Sequence, residues 1–118
     1  MSERSAQEQA QVDRIEVAIE HWHRRELDDY FTLYRLDATL HHTHGDFDLA
    51  GAHQDYLELF EAIPDAAIEF HHMLVEGDLV AMSFTLTGTA NDQPVIRHGL
   101  SMLRFEGVQC IERWTSSH

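Results

Sequence analysis

The second half of this chain is a succession of segments in which apolar and polar residues alternate. A period of two is typical of β-strands that bury one face. Four such segments lie at 66–76, 79–89, 95–105 and 108–116. They are connected by the pairs Gly77-Asp78, Asn91-Asp92 and Glu106-Gly107. Because connections this short force neighbouring strands to pair antiparallel, the pattern predicts a four-stranded meander.

The first half of the chain has the three-and-four spacing of apolar residues that indicates amphipathic helices. Helices are predicted over about 6–24, over a short stretch capped by Asp28 or Asp29, and over about 53–63, with a strand at 38–43. Helices that precede a run of strands indicate an α+β fold. Only these three helices can cover the apolar face of the sheet. We therefore expect a curved antiparallel sheet wrapped around them as a cone, with a pocket at its open end.

Size and charge limit what the protein can bind. The chain has 118 residues, and we expect a single domain over 1–118 with residues 1–5 disordered. It has 21 acidic residues against 8 basic ones and a formal net charge of −13. Such a negative field disfavours nucleic acid and anionic membrane surfaces as partners. All 8 basic residues are arginines, so Schiff-base and phosphate-loop lysine chemistry is excluded.

The single cysteine and the N-terminal sequence indicate a compartment. Cys110 has no second cysteine with which to form an internal disulfide, which fits a reducing environment. The first residues lack the charged-then-apolar order of a signal peptide. A cytoplasmic location is predicted.

Three stretches of the sequence carry a resemblance to a known superfamily. They are Leu36-Asp37-Ala38-Thr39-Leu40-His41-His42 followed by Gly45 and Gly51, Leu74-Val75-Glu76-Gly77-Asp78-Leu79-Val80-Ala81, and Leu103-Arg104-Phe105-Glu106-Gly107-Val108 with Glu112-Arg113-Trp114. In order and spacing they resemble the nuclear transport factor 2-like superfamily, in particular the SnoaL-like polyketide cyclases and the ketosteroid isomerases. The resemblance implies the cone-shaped fold, a pocket for a small hydrophobic organic ligand, and a homodimer.

The resemblance also assigns catalytic positions. The tyrosine that donates to the oxyanion in ketosteroid isomerases falls on Ala18, the catalytic aspartate on His42, and the second oxyanion donor on Ser101. A steroid isomerase is therefore not expected. The Asp-Arg-Asp set of limonene-epoxide-hydrolase-like proteins would have only Arg97 here. His42 is the best candidate for a general base, since a neutral imidazole accepts a proton near neutral pH. The alternative is a cavity histidine with no chemistry.

Strand alternation selects further candidates. If His42 points inward, alternation puts His44 on the same face of the strand, and we expect His44 to contact the ligand. On 95–105, Arg97 and Ser101 share the parity that the resemblance places in the cavity. The opposite parity contains Ile96, Leu100 and Met102. This apolar outer set needs a cover, which a second copy of the chain would supply.

The last strand contributes a carboxyl group. Alternation puts Cys110, Glu112 and Trp114 on one side, towards the cavity. Burial there would raise the pKa of Glu112 and make it useful as an acid or base. An ion pair with Arg97 or Arg113 is the alternative.

The remaining candidates are ligand-binding residues. His72 shares a face with Ile68, Phe70 and Leu74 if alternation is unbroken, and is either a buried core histidine or a ligand contact. The aromatic side chains are expected to form core or pocket wall, which suits a flat ligand. They are Trp22, Tyr30, Tyr34 and Trp114.

The 10 histidines raise the question of a metal. His42 and His44, with His72 or Glu112, would satisfy the ligand count of a zinc site. The sequence has neither a His-Glu-x-x-His nor a Cys-x-x-Cys motif, and members of the superfamily rarely use metal. We predict no metal and no cofactor.

These features together predict a small-molecule-binding protein. The working hypothesis is a cofactor-free isomerase, cyclase or dehydratase, in which His42 is the base and His44, Ser101 or Glu112 polarises a carbonyl. The alternative is a non-catalytic ligand-binding or dimerisation domain of the same fold.

Overall fold

The computed structural model describes residues 3–118 and contains three α-helices and six β-strands. The helices are Ala6–His23 (α1), Leu27–Tyr30 (α2) and Leu49–Ala62 (α3), and a 3-10 turn at Phe31–Leu33 follows α2. The strands are Tyr34–His42 (β1), Gly45–Phe47 (β2), Ala67–Glu76 (β3), Leu79–Ala90 (β4), Gln93–Glu106 (β5) and Gln109–Ser117 (β6). None of the helices in this described part combines the length and hydropathy needed to span a bilayer.

The start of α1 is determined by a capping box. The Ser5 hydroxyl accepts from the Glu8 amide, and the Glu8 carboxylate accepts from the Ser5 amide at 2.8 Å. Of the expected disordered segment 1–5, residues 1 and 2 lie outside the described residues, whereas Ser5 is this helix cap. Val12, Ile15 and Trp22 form the buried stripe of α1, as their spacing predicts.

Several elements differ from their predicted bounds, and β1, predicted at 38–43, begins at Tyr34. α3 begins at Leu49, before the predicted start at 53, because Asp48 caps it by accepting from the Gly51 amide at 2.8 Å. The short strand β2, which pairs antiparallel with β1, was not predicted.

The sheet has the strand order β2-β1-β6-β5-β4-β3 and is curved and unclosed. The α+β class and the curved sheet are confirmed, but the expectation of a purely antiparallel sheet is wrong. β1 pairs parallel with β6, while the pairs β3–β4, β4–β5 and β5–β6 are antiparallel. Parallel pairing is possible because the long connection from β1 to β6 runs through α3 and four strands.

Two β-bulges change which side chains face the helices. On β3, Phe70 pairs with Phe84 but His72 pairs with Ser83, so His71 is an extra residue. On β6, the strand register likewise shifts by one residue at Ile111, between Cys110 and Glu112. A one-residue insertion reverses the alternation beyond it. The second half of each strand therefore presents the side chains that unbroken alternation would turn outward.

The sheet has an inner face, covered by the helices, and an outer face turned away from them. Buried inner-face residues include Leu40, Val80, Leu103 and Cys110. On the outer face, Leu74, Ile96 and Leu100 are 72%, 64% and 66% exposed. The core thus lies on one side of the sheet only.

Candidate functional site

A cavity of about 310 Å³ lies between α1, α3 and the inner face of the sheet. It continues inward to a narrow space of about 30 Å³ beside Tyr30 and Leu103. Its wall is apolar and comes from both helices and sheet, through Trp22, Tyr56, Leu59, Ile68, Phe84 and Leu86. Its polar lining includes His42, His44, Asp55, Arg97, Arg113 and Thr115. An apolar cavity with a few converging polar groups is the usual form of a small-molecule site.

His42 lies at the end of β1 and lines this cavity. Its Nε2 atom is buried and has no hydrogen-bond partner among residues 3–118. Its ring lies among Phe47, Tyr56 and His44, with centroid distances of 5.6, 6.3 and 5.7 Å. Burial, together with the positive charge of Arg113, lowers the pKa of His42 to about 4. The imidazole is therefore neutral, and in its base form, at physiological pH.

His44 and Arg97 lie at the mouth of the cavity. His44 belongs to the turn between β1 and β2 rather than to a strand, and its Nε2 contacts the Asp55 carboxylate on α3 at 3.0 Å. Arg97 on β5 is exposed. Both can contact a ligand that enters, but neither is held in the interior.

Arg113 is the cation at the inner end of the cavity. Its Nη1 donates to the hydroxyls of Tyr30 at 2.8 Å, Tyr34 at 2.9 Å and Tyr56 at 3.4 Å. Its Nη2 donates to Ser101 Oγ at 3.1 Å, and its Nε to Thr115 Oγ1 at 2.9 Å. We call these six residues the arginine–hydroxyl cluster.

The hydroxyls of this cluster also contact one another. The Tyr30 hydroxyl lies 2.8 Å from that of Tyr34 and 3.3 Å from that of Tyr56, and Ser101 Oγ lies 2.9 Å from Thr115 Oγ1. Burial raises the pKa of all three tyrosines well above its ordinary value. The phenols therefore remain protonated and can act as donors.

The structure places four of the predicted residues in the arginine–hydroxyl cluster or in the cavity wall beside it. Ser101 is buried and bonded to Arg113, and Tyr30 and Tyr34 are buried and bonded to the same guanidinium. Trp22 is buried in the wall. Sequence reasoning treated Arg113 only as an ion-pair partner for Glu112, and it did not select Tyr56 or Thr115. The inward direction of Arg113 follows from the bulge at Ile111, for which the sequence has no glycine or proline signal.

Glu112 and Trp114 are not in the cavity, contrary to the prediction. The bulge turns both to the outer face, where Glu112 Oε2 contacts His41 Nε2 at 2.7 Å. Trp114 stacks on the His41 ring with centroids 5.7 Å apart. Hydrogen bonds to Glu112 and Asp46 raise the pKa of His41. The two carboxylates on the outer surface therefore favour the protonated form of this histidine.

His72 also lies on the outer face, and its predicted grouping with Ile68 and Phe70 is wrong. The bulge at His71 reverses the alternation, and His72 Nδ1 contacts the Ser83 hydroxyl at 3.0 Å. His72 and Glu112 are thus separated from His42 by the sheet and cannot complete a metal site with it. Among residues 3–118, the one cluster of three possible ligand side chains is His21, Glu26 and Asp29 on the surface. There Arg24 also contacts His21 and Glu26, which disfavours a cation.

A second concavity, of about 600 Å³, lies on the outer face of the sheet. It is a shallow groove whose lining includes Leu74, Leu100, Met102 and Trp114. Leu74 and Leu100 are mostly exposed and Trp114 is half-buried, and the groove, as lined by residues 3–118, contains no arginine. We therefore assign ligand chemistry to the inner cavity and treat the groove as a surface for association.

Comparison with solved structures identifies the fold. AclR from Streptomyces galilaeus, a presumed hydroxylase, is 20% identical and superimposes with a TM-score of 0.85 over 94% of this chain and 90% of that one. A presumed SnoaL-like polyketide cyclase from Jannaschia sp. CCS1 is 18% identical, with a TM-score of 0.88 over 99% and 91%. TerC, crystallised with polyporic acid, is 11% identical, with a TM-score of 0.78 over 90% and 89%.

Comparison of the sequence identifies the family. A search of curated proteins finds no match. The profile of the SnoaL-like domain, however, matches residues 15–113, from the middle of α1 to the middle of β6, and this range includes every residue of the arginine–hydroxyl cluster except Thr115. The chain therefore belongs to the SnoaL-like domain family, within the nuclear transport factor 2-like superfamily.

Proposed function

We propose that this protein is a small-molecule enzyme that transfers a proton within an organic ligand without a cofactor, with His42 as the general base. The observation that carries the proposal is the unpartnered Nε2 of His42 in an apolar cavity beside Arg113. Leaving a buried polar atom unpaired costs free energy. Such an atom is available to a ligand, and a base must be within reach of the proton that it removes.

The charges around His42 favour proton removal from a carbon next to a carbonyl. The imidazole lone pair would take the proton, the C–H electrons would form an enolate, and the proton would then return to another atom of the ligand. The neutral imidazole thereby becomes an imidazolium, and the ligand gains one negative charge on its enolate oxygen. The positive charge of Arg113 disfavours the imidazolium alone but stabilises the enolate oxygen at the same time.

Ser101 takes a positioning part in this proposal. Its hydroxyl binds Arg113 Nη2 at 3.1 Å and so helps to orient the guanidinium. Glu112 has no part, because it lies on the outer face. The likeness to a protein described as a presumed polyketide cyclase supports a planar, carbonyl-bearing ligand in this proposal. The aromatic wall of the cavity would accommodate such a ligand.

The test is deuterium exchange at the acidic carbon of aromatic β-diketones and β-keto esters in D₂O, followed by NMR. We expect the wild type to accelerate exchange of at least one compound. His42→Asn should reduce that acceleration by about 100-fold or more, whereas His72→Asn, on the outer face, should leave it unchanged. Equal rates for wild type and His42→Asn with every compound would reject the base and favour a binding-only domain.

We also propose that the outer face of the sheet joins two copies of the chain. Leu74, Leu100 and Ile96 are mostly exposed there, and exposed apolar patches of this kind are typical of interfaces. The net charge of −13 makes two copies repel over most of their surface. A second copy is therefore best placed where apolar and histidine side chains predominate.

Sedimentation equilibrium tests the dimer. We expect a dimer for the wild type, a monomer for Leu100→Glu, and a dimer for Val108→Glu. Val108 is a matched control because it is 43% exposed but lies in the turn between β5 and β6. A wild type that is monomeric at several hundred micromolar would refute the proposal.

A further inference from the structure

We infer that the ligand of the inner cavity carries a negatively charged oxygen, such as a carboxylate or an ionised acidic enol, and that the arginine–hydroxyl cluster binds this oxygen. The inference deepens the proposed function and rests on it in taking the inner cavity as the ligand site. It is carried by the charge and the hydrogen-bond count of the cluster.

The first observation is that Arg113 has no anionic partner. No carboxylate oxygen of residues 3–118 forms a salt bridge with its guanidinium, and its five hydrogen bonds all go to neutral hydroxyls. Of the acids next to it in sequence or in the cavity lining, Glu112 and Asp55 are each bound to a histidine, and Glu58 is exposed at the surface. A partly buried cation without a counter-ion is costly unless something supplies the charge.

The second observation is a surplus of hydrogens. The phenols of Tyr30, Tyr34 and Tyr56 hold three hydroxyl protons but make only two contacts with one another. Because a hydroxyl bonded to Arg113 accepts from it, at least one phenolic proton has no acceptor within the cluster. Within residues 3–118, the contacts of this cluster thus leave at least one phenolic hydrogen without an acceptor.

The same count applies to the other end of the guanidinium. Ser101 and Thr115 have two hydroxyl protons but make only one contact with each other. The other proton therefore has no acceptor within the cluster. Nη2 of Arg113 has two N–H groups, and in residues 3–118 only Ser101 accepts from it. A ligand oxygen that accepts hydrogen bonds and carries a negative charge would use the free donors that line the cavity and would neutralise Arg113, whereas a cation would be repelled by the guanidinium.

The cavity geometry makes the cluster accessible. Arg113 and Thr115 line the main space of about 310 Å³, and Arg113 and Tyr30 line its narrow continuation. His42 lines the same main space. An anionic oxygen at the guanidinium would place the rest of the ligand against the apolar wall and near the unpartnered imidazole.

The test compares two ligands of the same shape and different charge, 2-naphthoate and 2-acetylnaphthalene, by isothermal titration calorimetry. The wild type should bind the anion at least tenfold more tightly, as charge-assisted hydrogen bonds would require. In Arg113→Gln, the two affinities should become equal within about threefold. The matched control is Arg104→Gln, which removes an exposed arginine from the outer face of the same sheet and should retain the preference for the anion.

A second variant keeps the test valid if Arg113→Gln does not fold. Tyr56→Phe removes one hydroxyl and keeps the ring, so it should weaken 2-naphthoate binding several-fold while the neutral compound binds as before. A wild type that binds both compounds equally, or an Arg113→Gln protein that retains the preference, would overturn the inference. His42→Asn should retain the preference for the anion. The exchange test and this test can therefore fail independently.

Discussion

The buried imidazole of His42 should make the protein lose stability as the pH falls from about 6.5 to 4. Its pKa is lowered from an ordinary value near 6.5 to about 4 in the folded protein, through burial and the nearby charge of Arg113. In this window the unfolded chain therefore binds a proton that the folded chain does not, and the free energy of unfolding must decrease as the pH decreases. The stabilisation is complete above about pH 6.5.

The magnitude follows from the same pKa. At 1.36 kcal/mol per pKa unit, the full shift corresponds to about 3 kcal/mol. The His42 ring is only partly buried, so solvent screens part of this free energy. We expect about 2 kcal/mol of stability to be lost through His42 between pH 7 and pH 4.5.

The assay is urea unfolding of wild type and His42→Asn at pH 7 and pH 4.5. Carboxylates also contribute to acid unfolding, and the comparison between the two proteins removes their common effect. We expect the wild type to lose about 2 kcal/mol more than His42→Asn on acidification. NMR titration of the His42 ring should give a midpoint near pH 4.

The neighbouring His41 provides a control of opposite sign. Its pKa in the folded protein is raised by Glu112 and Asp46. His41 therefore stabilises the folded protein fully at a pH below its pKa in the unfolded chain, and this stabilisation is lost as the pH rises through its pKa in the folded protein. His41→Asn should therefore make the acid loss steeper than in wild type, whereas His42→Asn makes it shallower. Equal acid loss in wild type and His42→Asn, or a His42 midpoint near pH 6.5, would refute the reasoning.

Two further predictions concern the packing around the cavity. Gly99→Ala should lower the free energy of unfolding, measured by urea denaturation, by about 1–3 kcal/mol, because the new Cβ would overlap the ring of Phe84 in the cavity wall. Adding Phe84→Leu to this variant should restore part of the loss. An unchanged free energy of unfolding in Gly99→Ala would contradict the close approach. Cys110 is fully buried, and burial raises the pKa of its thiol to about 12; it should therefore resist Ellman's reagent at pH 8 until denaturant is added, and rapid labelling of the native protein would show that β6 opens.

Much of the fold was predictable because the responsible signals are local. The stripe of Val12, Ile15 and Trp22 indicates α1, and alternation with turn pairs locates the four strands of the meander within a few residues. Ser101 was correctly assigned to the inner face, since β5 contains no bulge in its centre. These patterns require only that each segment bury one face of its own helix or strand.

The predictions failed where strand pairing, rather than the strand itself, decides the geometry. His72 and Glu112 lie beyond bulges, and the sequence around His71 and Ile111 has no residue that requires one. A bulge forms because two paired strands must match their registers over their whole length, which depends on partners that are distant in sequence. The parallel pairing of β1 with β6 has the same origin.

The sequence by itself therefore determined the fold class of the protein, its meander and its negative charge, and the family resemblance provided His42 as the candidate base that we propose. Only the tertiary structure decided which face each later side chain occupies. It moved Glu112 outward and brought Arg113 into contact with Tyr30 and Tyr34, although 79 or more residues separate the arginine from either tyrosine. The physical reason is that a single inserted residue on β6 reverses the side-chain alternation beyond it. Arg113, which unbroken alternation would turn to the outer surface, therefore lies at the inner end of the cavity.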